Sequence, residues 1–277
     1  MDVSNRRIAI LGKTGAGKSS LANTIFGENV FKPSQSINSE RKKCQSENRS
    51  VNERSITLID TPGFFDTDRS EEELKPEIVR CIIECAPGPH AFLIVLKVEK
   101  FTEHEQAVII KMRRCFSEEF FKYAAVLFTH GDQLNEGQTI QDLVHTNKQV
   151  SDLVEKCGDR CHVIDNKYWN QKHEYRSNQF QVEELLKSID KMVMENNGSC
   201  YTNEMLKEAE KAIQEEEERI RQSSGNPSAI EVRVQAKVIA FKKLLIKWAG
   251  IAKDKLLRRF FGVLSVVRRG RGYHKLD

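Results

Sequence analysis

One segment, Gly12-Lys13-Thr14-Gly15-Ala16-Gly17-Lys18-Ser19, constrains this chain more than any other. It fits the pattern G-x-x-x-x-G-K-[ST] in full, with an apolar run at residues 8–11 before it and a helical stretch after it. A loop of this composition curls so that successive backbone N–H groups point at phosphate oxygens, and the following helix adds the positive end of its dipole. In such a loop Lys18 reaches the β- and γ-phosphates of a nucleotide and the Ser19 hydroxyl ligates Mg²⁺. The expected cradle is Gly12, Lys13, Thr14, Gly15, Ala16, Gly17, Lys18, Ser19 and Ser20. A glycine-rich strand-to-helix turn without nucleotide is the plainer alternative.

Around this loop, apolar runs of strand length alternate with amphipathic stretches. Residues 7–11, 55–59, 91–96, 123–129 and 162–164 read as strands. Residues 18–26, 71–85, 102–116, 139–157 and 179–196 read as helices, the fourth in one or two pieces and the third with Thr102 placed to cap it. The alternation predicts an α/β fold with a mostly parallel central sheet and helices on both faces. A chain of 277 residues suffices for one such domain and an appendage.

Three further elements follow in order. Asp60-Thr61-Pro62-Gly63 stands at the end of the second strand, about 40 residues after the loop. An acidic residue there holds the Mg²⁺ shell, so Ser19 and Asp60 are the expected metal ligands, and the Gly63 amide faces the γ-phosphate. Lys18, Ser19, Asp60 and Gly63 are therefore the candidate catalytic residues. Thr129-His130-Gly131-Asp132 ends the strand before it. A buried carboxylate at Asp132 accepts from guanine N1–H and the 2-amino group, two donors that adenine lacks. The pattern departs from Asn-Lys-x-Asp at its first two positions, and a solvated aspartate in an ordinary turn is the alternative. Asn166, after the fifth strand, is placed to contact guanine O6 or N7. Gly63 is followed by Phe64 and Phe65, where fast GTP switches place a water-orienting glutamine, so hydrolysis is expected to be slow.

The net charge of +4 is unevenly spread. Residues 228–277 hold 13 Lys/Arg against 3 Asp/Glu, a surplus of ten, which leaves −6 on the first 227. Residues 201–222 form a charged helical pattern with a thin apolar stripe, and Ser223-Ser224-Gly225-Asn226-Pro227 is a break. The segment beyond reads as a basic amphipathic helix. It is a partly packed or solvated helix, a partner-groove helix, or a membrane-surface helix. In the last case Leu244, Leu245, Trp248, Phe260 and Phe261 lie inward and Lys242, Lys243, Lys247, Arg258 and Arg259 face acidic headgroups. Nucleic-acid binding is not expected, because no reading motif accompanies the basic residues.

No signal-peptide layout, lipidation box or apolar run of spanning length is visible, so a cytoplasmic protein is expected. The seven cysteines form no CxxC pair and read as buried reduced thiols rather than a metal site built from Cys157, Cys161 and His162.

With these elements in order, the chain resembles the GIMAP family of AIG1-type immunity-associated GTPases, and is most similar to its fish members. The resemblance covers about residues 6–224. Its most specific piece is Arg80-Cys81-Ile82-Ile83-Glu84-Cys85-Ala86-Pro87-Gly88-Pro89-His90-Ala91-Phe92; Phe64-Phe65 and Asp165-Asn166 also match. The resemblance implies a Ras-like G domain over 6–198, a charged helical extension over 199–224 that folds back on it, and a basic amphipathic tail over 228–277. It implies GTP/GDP and Mg²⁺ as ligands, guanine read by His130, Asp132 and Asn166, slow hydrolysis, and homodimers or oligomers formed across G domains in the GTP state. Some members sit on intracellular membranes through C-terminal segments. One departure touches the first switch, where Arg41 replaces the family's threonine three residues before Cys44; Ser39 is the nearby substitute ligand. The chain is thus expected to be a guanine-nucleotide switch with slow turnover, or alternatively a nucleotide-controlled membrane scaffold with negligible turnover. A P-loop ATPase or kinase is opposed by Asp132.

Overall fold

The computed structural model describes residues 5–32, 44–61, 63, 71–99, 101–169, 175–223 and 227–250, without the side chains of 71–75, 114–115, 223 and 249–250. The sequence positions Ser39, Arg41, Phe64, Phe65, Phe260 and Phe261 lie outside the described residues.

Six strands form one sheet: β1 (Arg6–Leu11), β2 (Gln45–Val51), β3 (Arg54–Asp60), β4 (Ala91–Lys97), β5 (Ala124–Thr129) and β6 (Cys161–Val163). Their spatial order is β2-β3-β1-β4-β5-β6. All neighbours run parallel except β2, which pairs antiparallel with β3. The expected mostly parallel sheet is present, with one strand added. β2 reads Gln-Ser-Glu-Asn-Arg-Ser-Val and buries only Val51, as an antiparallel edge exposed to water permits.

The inner strands are apolar on both sides because both faces are covered. On one face, Ile8, Ile10, Ile56, Leu58, Leu93, Val95 and Leu127 meet α1 (Lys18–Phe26) and α6 (Asn178–Glu195). On the other, Ala9, Leu11, Ile59, Phe92, Ile94, Val126 and Phe128 meet α2 (Glu71–Cys85), α3 (Glu103–Phe116), α4 (Ile140–His145) and α5 (Lys148–Lys156). The alternation within each strand is the period-2 pleat. Thr102 caps α3 as expected, in a capping box with Glu105, and Thr139 and Asp142 form a second box on α4.

Two more helices, α7 (Glu204–Ser223) and α8 (Ala229–Gly250), join the second core and pack on α2 and on each other. The segment 86–90 receives them. Tyr201 N–H donates to Pro89 O at 2.9 Å, and a Cβ on Gly88 would stand 1.9 Å from Tyr201 O, so only glycine admits this approach. His90 Nδ1 accepts from the Arg7 amide at 3.0 Å, tying the same segment to β1.

α8 buries Val232, Ala236, Ala240, Leu244 and Trp248. Leu244 and Trp248 therefore face the protein, not an outer apolar side. The reason is charge pairing that flanks the buried stripe. Arg233 reaches Glu210 at 2.7 Å and Glu217 at 2.9 Å, Lys237 reaches Glu84 at 2.9 Å, and Lys243 and Lys247 pair with Glu216 and Glu208. Ile230, Val234, Val238, Ile239 and Ile246 are exposed large apolar residues on α8.

The cysteines also differ from expectation. Cys44, at the start of β2, and Cys81, on α2, form a disulfide with Cα atoms 5.5 Å apart, while Cys85, Cys157, Cys161 and Cys200 are free thiols. The pairing arises because α2 covers the sheet where β2 begins.

Candidate nucleotide-binding site

The phosphate loop runs from β1 into α1 as the motif requires. Gly15 and Gly17 take positive φ, and α1 starts at Lys18 directly behind Gly17. Lys18 turns back into the loop, donating from Nζ to Gly12 O at 2.9 Å and Lys13 O at 2.8 Å. A buried ammonium inside a ring of backbone is placed to meet phosphate charge. Ser20 lies on the first turn of α1, half-buried.

The end of β3 meets the start of α1. Ser19 Oγ donates to Asp60 Oδ2 at 2.5 Å, both side chains buried. Thr61 Oγ1 donates to Ile10 O at 2.5 Å and fixes the strand end against β1. Gly63 is buried beyond it. Two hard oxygen donors held side by side beside a phosphate cradle suit Mg²⁺, which takes few protein ligands and keeps phosphate oxygens and waters.

The base-reading residues approach from β5 and β6. Thr129, fully buried, donates from Oγ1 to Ala16 O at 2.9 Å, and its hydroxyl lies 3.0 Å from His130 Nδ1. This residue replaces the usual asparagine yet still ties the phosphate loop to β5. A Cβ on Gly17 would stand 3.1 Å from Asn166 Nδ2 and 3.4 Å from Thr129 Cγ2, so the three meet at one point. Asn166 Oδ1 accepts from Thr24 Oγ1 at 3.1 Å. His130 sits in the left-handed region at φ 63°, which turns the chain sharply out of β5.

Asp132 is exposed, and the buried carboxylate is its neighbour Asp165. Asp165 accepts from the amides of Lys167, at 2.8 Å, and of Tyr168 and Asp132. Burial works against its ionisation, but these bonds outweigh it and hold its carboxyl below the ordinary value. Hydrogen bonding with Asp165 and burial push the Asp132 carboxyl up. Donors arriving at Asp132 would reverse this, since they favour the ionised form.

Two contributors escaped the sequence reading. Trp169 packs on Gly131 so closely that a Cβ there would stand 2.7 Å from the ring. Glycine in the Thr-His-Gly-Asp turn is thus a packing requirement. Glu105, which closes the capping box of α3, also pairs with Lys13 of the phosphate loop. The structure brings together the loop 12–20, Asp60, Gly63, Thr129–Asp132 and Asn166 at the C-terminal ends of β1, β3, β5 and β6, the usual position for ligands in open α/β sheets.

The chain is similar to known proteins in sequence and in fold. The chain is 30% identical over 232 residues to Immune-associated nucleotide-binding protein 13 of Arabidopsis thaliana, covering 82% of this chain and 68% of that protein. It is 32% identical over 201 residues to GTPase IMAP family member 8 of Homo sapiens, covering 73% of this chain and 30% of that one. In fold it is similar to Toc33 from Arabidopsis thaliana in complex with GDP and Mg²⁺, with a TM-score of 0.54 at 17% identity over 72% of this chain and 88% of that one. A dimerization-deficient Toc33 mutant gives a TM-score of 0.56 at 18% identity, over 73% and 89%. The AIG1 family model matches residues 6–222. The chain belongs to the AIG1 family.

Proposed function

We propose that this chain is a guanine-nucleotide switch that binds GTP and GDP with Mg²⁺ and hydrolyses GTP slowly. The convergence of Gly17, Thr129 and Asn166 carries the reading, because it packs the phosphate cradle directly against the base-reading loop. The relatives named for nucleotide binding and GTPase activity support it.

The roles follow from the geometry. Lys18 exchanges its carbonyl partners for the β- and γ-phosphates, gaining a full charge partner. Ser19 and Asp60 hold Mg²⁺, which neutralises charge developing on the phosphate oxygens. The Gly63 amide senses the γ-phosphate. Asp132 accepts from the guanine N1–H and 2-amino groups, with His130 and Asn166 completing the base site. Phe64 stands where a fast switch has its water-orienting glutamine, which supports slow turnover.

Self-assembly through G domains in the GTP state is part of this proposal and follows from family membership. So is the division into a G domain over 6–198, an extension over 199–224 and a basic tail over 228–277, in a cytoplasmic protein. Single-turnover GTP hydrolysis followed as chain concentration rises tests both turnover and assembly. A rate that increases with concentration is expected. No turnover at any concentration rejects the enzymatic part and leaves the nucleotide-controlled scaffold.

A second reading has its own observation. The exposed Ile230, Val234, Val238, Ile239 and Ile246 of α8, with Lys242 beside them, favour peripheral attachment to an acidic membrane surface. No helix among the described residues is long and apolar enough to cross a membrane. Flotation with phosphatidylserine vesicles tests attachment; an Ile230→Asp/Val238→Asp variant that floats equally well refutes this face.

A further inference from the structure

We propose that Glu105 is a positioning residue for the phosphate loop, acting through its ion pair with Lys13 to set how fast nucleotide is released. The inference rests on the nucleotide reading above and assigns a control element to that site.

The loop contains two lysines with opposite orientations. Lys18 points inward, and one of its acceptors is the carbonyl of Lys13 at 2.8 Å. The Lys13 side chain points outward to α3, where its Nζ pairs with Glu105 and lies 3.6 Å from Glu99. Lys13 therefore links the inside of the loop to α3: its backbone touches the phosphate-binding ammonium and its side chain is held from outside.

Glu105 is the buried end of this link. Its side chain is 7% exposed against 26% for Lys13. The same carboxylate accepts from the Thr102 amide at 3.1 Å and from the Thr102 hydroxyl, closing the capping box of α3. One group thus fixes both the first turn of a helix and the outer side of the loop. Burial opposes its ionisation, but the bonds from Lys13 and Thr102 hold its carboxyl below the ordinary value. A residue that served only as a cap would need no cation opposite.

The surroundings allow the link to move. A cavity of about 430 Å³ lies against Glu99 and Glu105, with Leu96, Val98, Phe128 and Leu134 among its walls. The side of the α3 start that carries this carboxylate borders this cavity. Displacing the first turn of α3 would draw Glu105 from Lys13 and loosen the carbonyl that competes with phosphate for Lys18.

The test separates the ion pair from the cap. Glu105→Gln keeps an acceptor for Thr102 and removes the charge; Lys13→Met removes the ammonium and leaves the cap whole; Thr102→Val removes the cap hydroxyl and keeps both charges of the pair. Release of fluorescent GDP from the full chain in Mg²⁺ is followed by chasing with unlabelled GDP. Glu105→Gln and Lys13→Met are each expected to speed release by about tenfold, the loss of one charge-assisted bond. The double variant should release no faster than either single variant, and Thr102→Val, which loosens the first turn but keeps both charges, should lower the melting temperature and speed release by less than Glu105→Gln. Unchanged release in Glu105→Gln or Lys13→Met, or additive effects in the double variant, overturns the proposal. Failure of the unmodified chain to bind GDP overturns the nucleotide reading instead.

Discussion

The Ser19 hydroxyl donates to Asp60 Oδ2 at 2.5 Å, joining the first turn of α1 to the last residue of β3. The two oxygens come from segments 41 residues apart and are both buried. A buried carboxylate is costly unless charged or hydrogen-bonding partners serve it, and a bound cation serves it strongly. Ser19→Ala and Asp60→Ala should therefore weaken GDP binding in Mg²⁺ by roughly 10–100-fold, the loss of one interaction with a charged group. In excess EDTA the Ser19→Ala protein should bind GDP about as well as the unmodified chain. An equal deficit with and without Mg²⁺ would show that Ser19 has only a packing role.

Asp132 should decide which base is accepted. Asp132→Asn turns an acceptor into a group that also donates, so it should lose guanine and gain xanthine, which presents a carbonyl in place of the 2-amino group. GDP affinity should fall by at least about 100-fold, as expected when a site built for hydrogen bonds meets the wrong partner. Equilibrium titration with GDP and XDP reads both changes. Unaltered GDP affinity would remove Asp132 from the base site.

Gly131→Ala should disturb the base loop through Trp169, since the new Cβ would lie 2.7 Å from the ring. The expected destabilisation is about 1–3 kcal/mol, typical of overpacking, with a matching loss of GDP affinity. Adding Trp169→Phe removes the ring that clashes and should restore part of both. A double variant no better than Gly131→Ala would place the strain elsewhere.

The Cys44–Cys81 disulfide closes a loop of 37 residues. Chain-entropy reasoning gives about 4 kcal/mol for a loop of that size. Oxidised protein should resist denaturant more than dithiothreitol-treated protein by roughly that amount, and Cys44→Ser should abolish the difference. Seven titratable thiols in protein purified without reductant would contradict the pairing.

Acid should weaken the fold through His90. Burial, with help from Arg7 and Arg6, pushes its pKa down from 6.5 to about 4. A base whose folded pKa lies below its unfolded value stabilises the fold above the unfolded value. That contribution is lost as pH falls from about 6.5 towards 4, at up to about 1.4 kcal/mol per pH unit. His162, also lowered to about 4 by burial, acts in the same window. Denaturation curves at stepped pH should show this slope, and His90→Asn, which keeps an acceptor for the Arg7 amide, should reduce it. An unchanged slope would assign the acid limb to other groups.

The phosphate loop, the inner strands and the Thr102 cap were legible because local rules fix them. Glycine spacing, an apolar run and a threonine before a helical stretch each say the same thing in sequence and in space. β2 was not legible, since an edge strand that buries only Val51 has no apolar period; Gln45 to Val51 are held by their register on β3. The placing of α8 was half visible. Glu208, Glu210, Glu216 and Glu217 on α7 complement Arg233, Lys243 and Lys247 on α8, but charge runs alone do not say whether their partner is a lipid surface or the adjacent helix. Asp165 and Trp169 act through contacts with residues 33 and 38 positions earlier, Asp132 and Gly131, which no local pattern encodes.

The central claim is that Lys18 and its loop grip a diphosphate while Asp132 checks the purine. Titration of the chain with labelled GDP, GTP and ATP in Mg²⁺, beside Lys18→Ala, tests it most directly. The account predicts saturable binding of both guanine nucleotides, none of ATP in the same range, and loss of binding in Lys18→Ala. Equal binding of ATP, or undiminished GDP binding by Lys18→Ala, would contradict it.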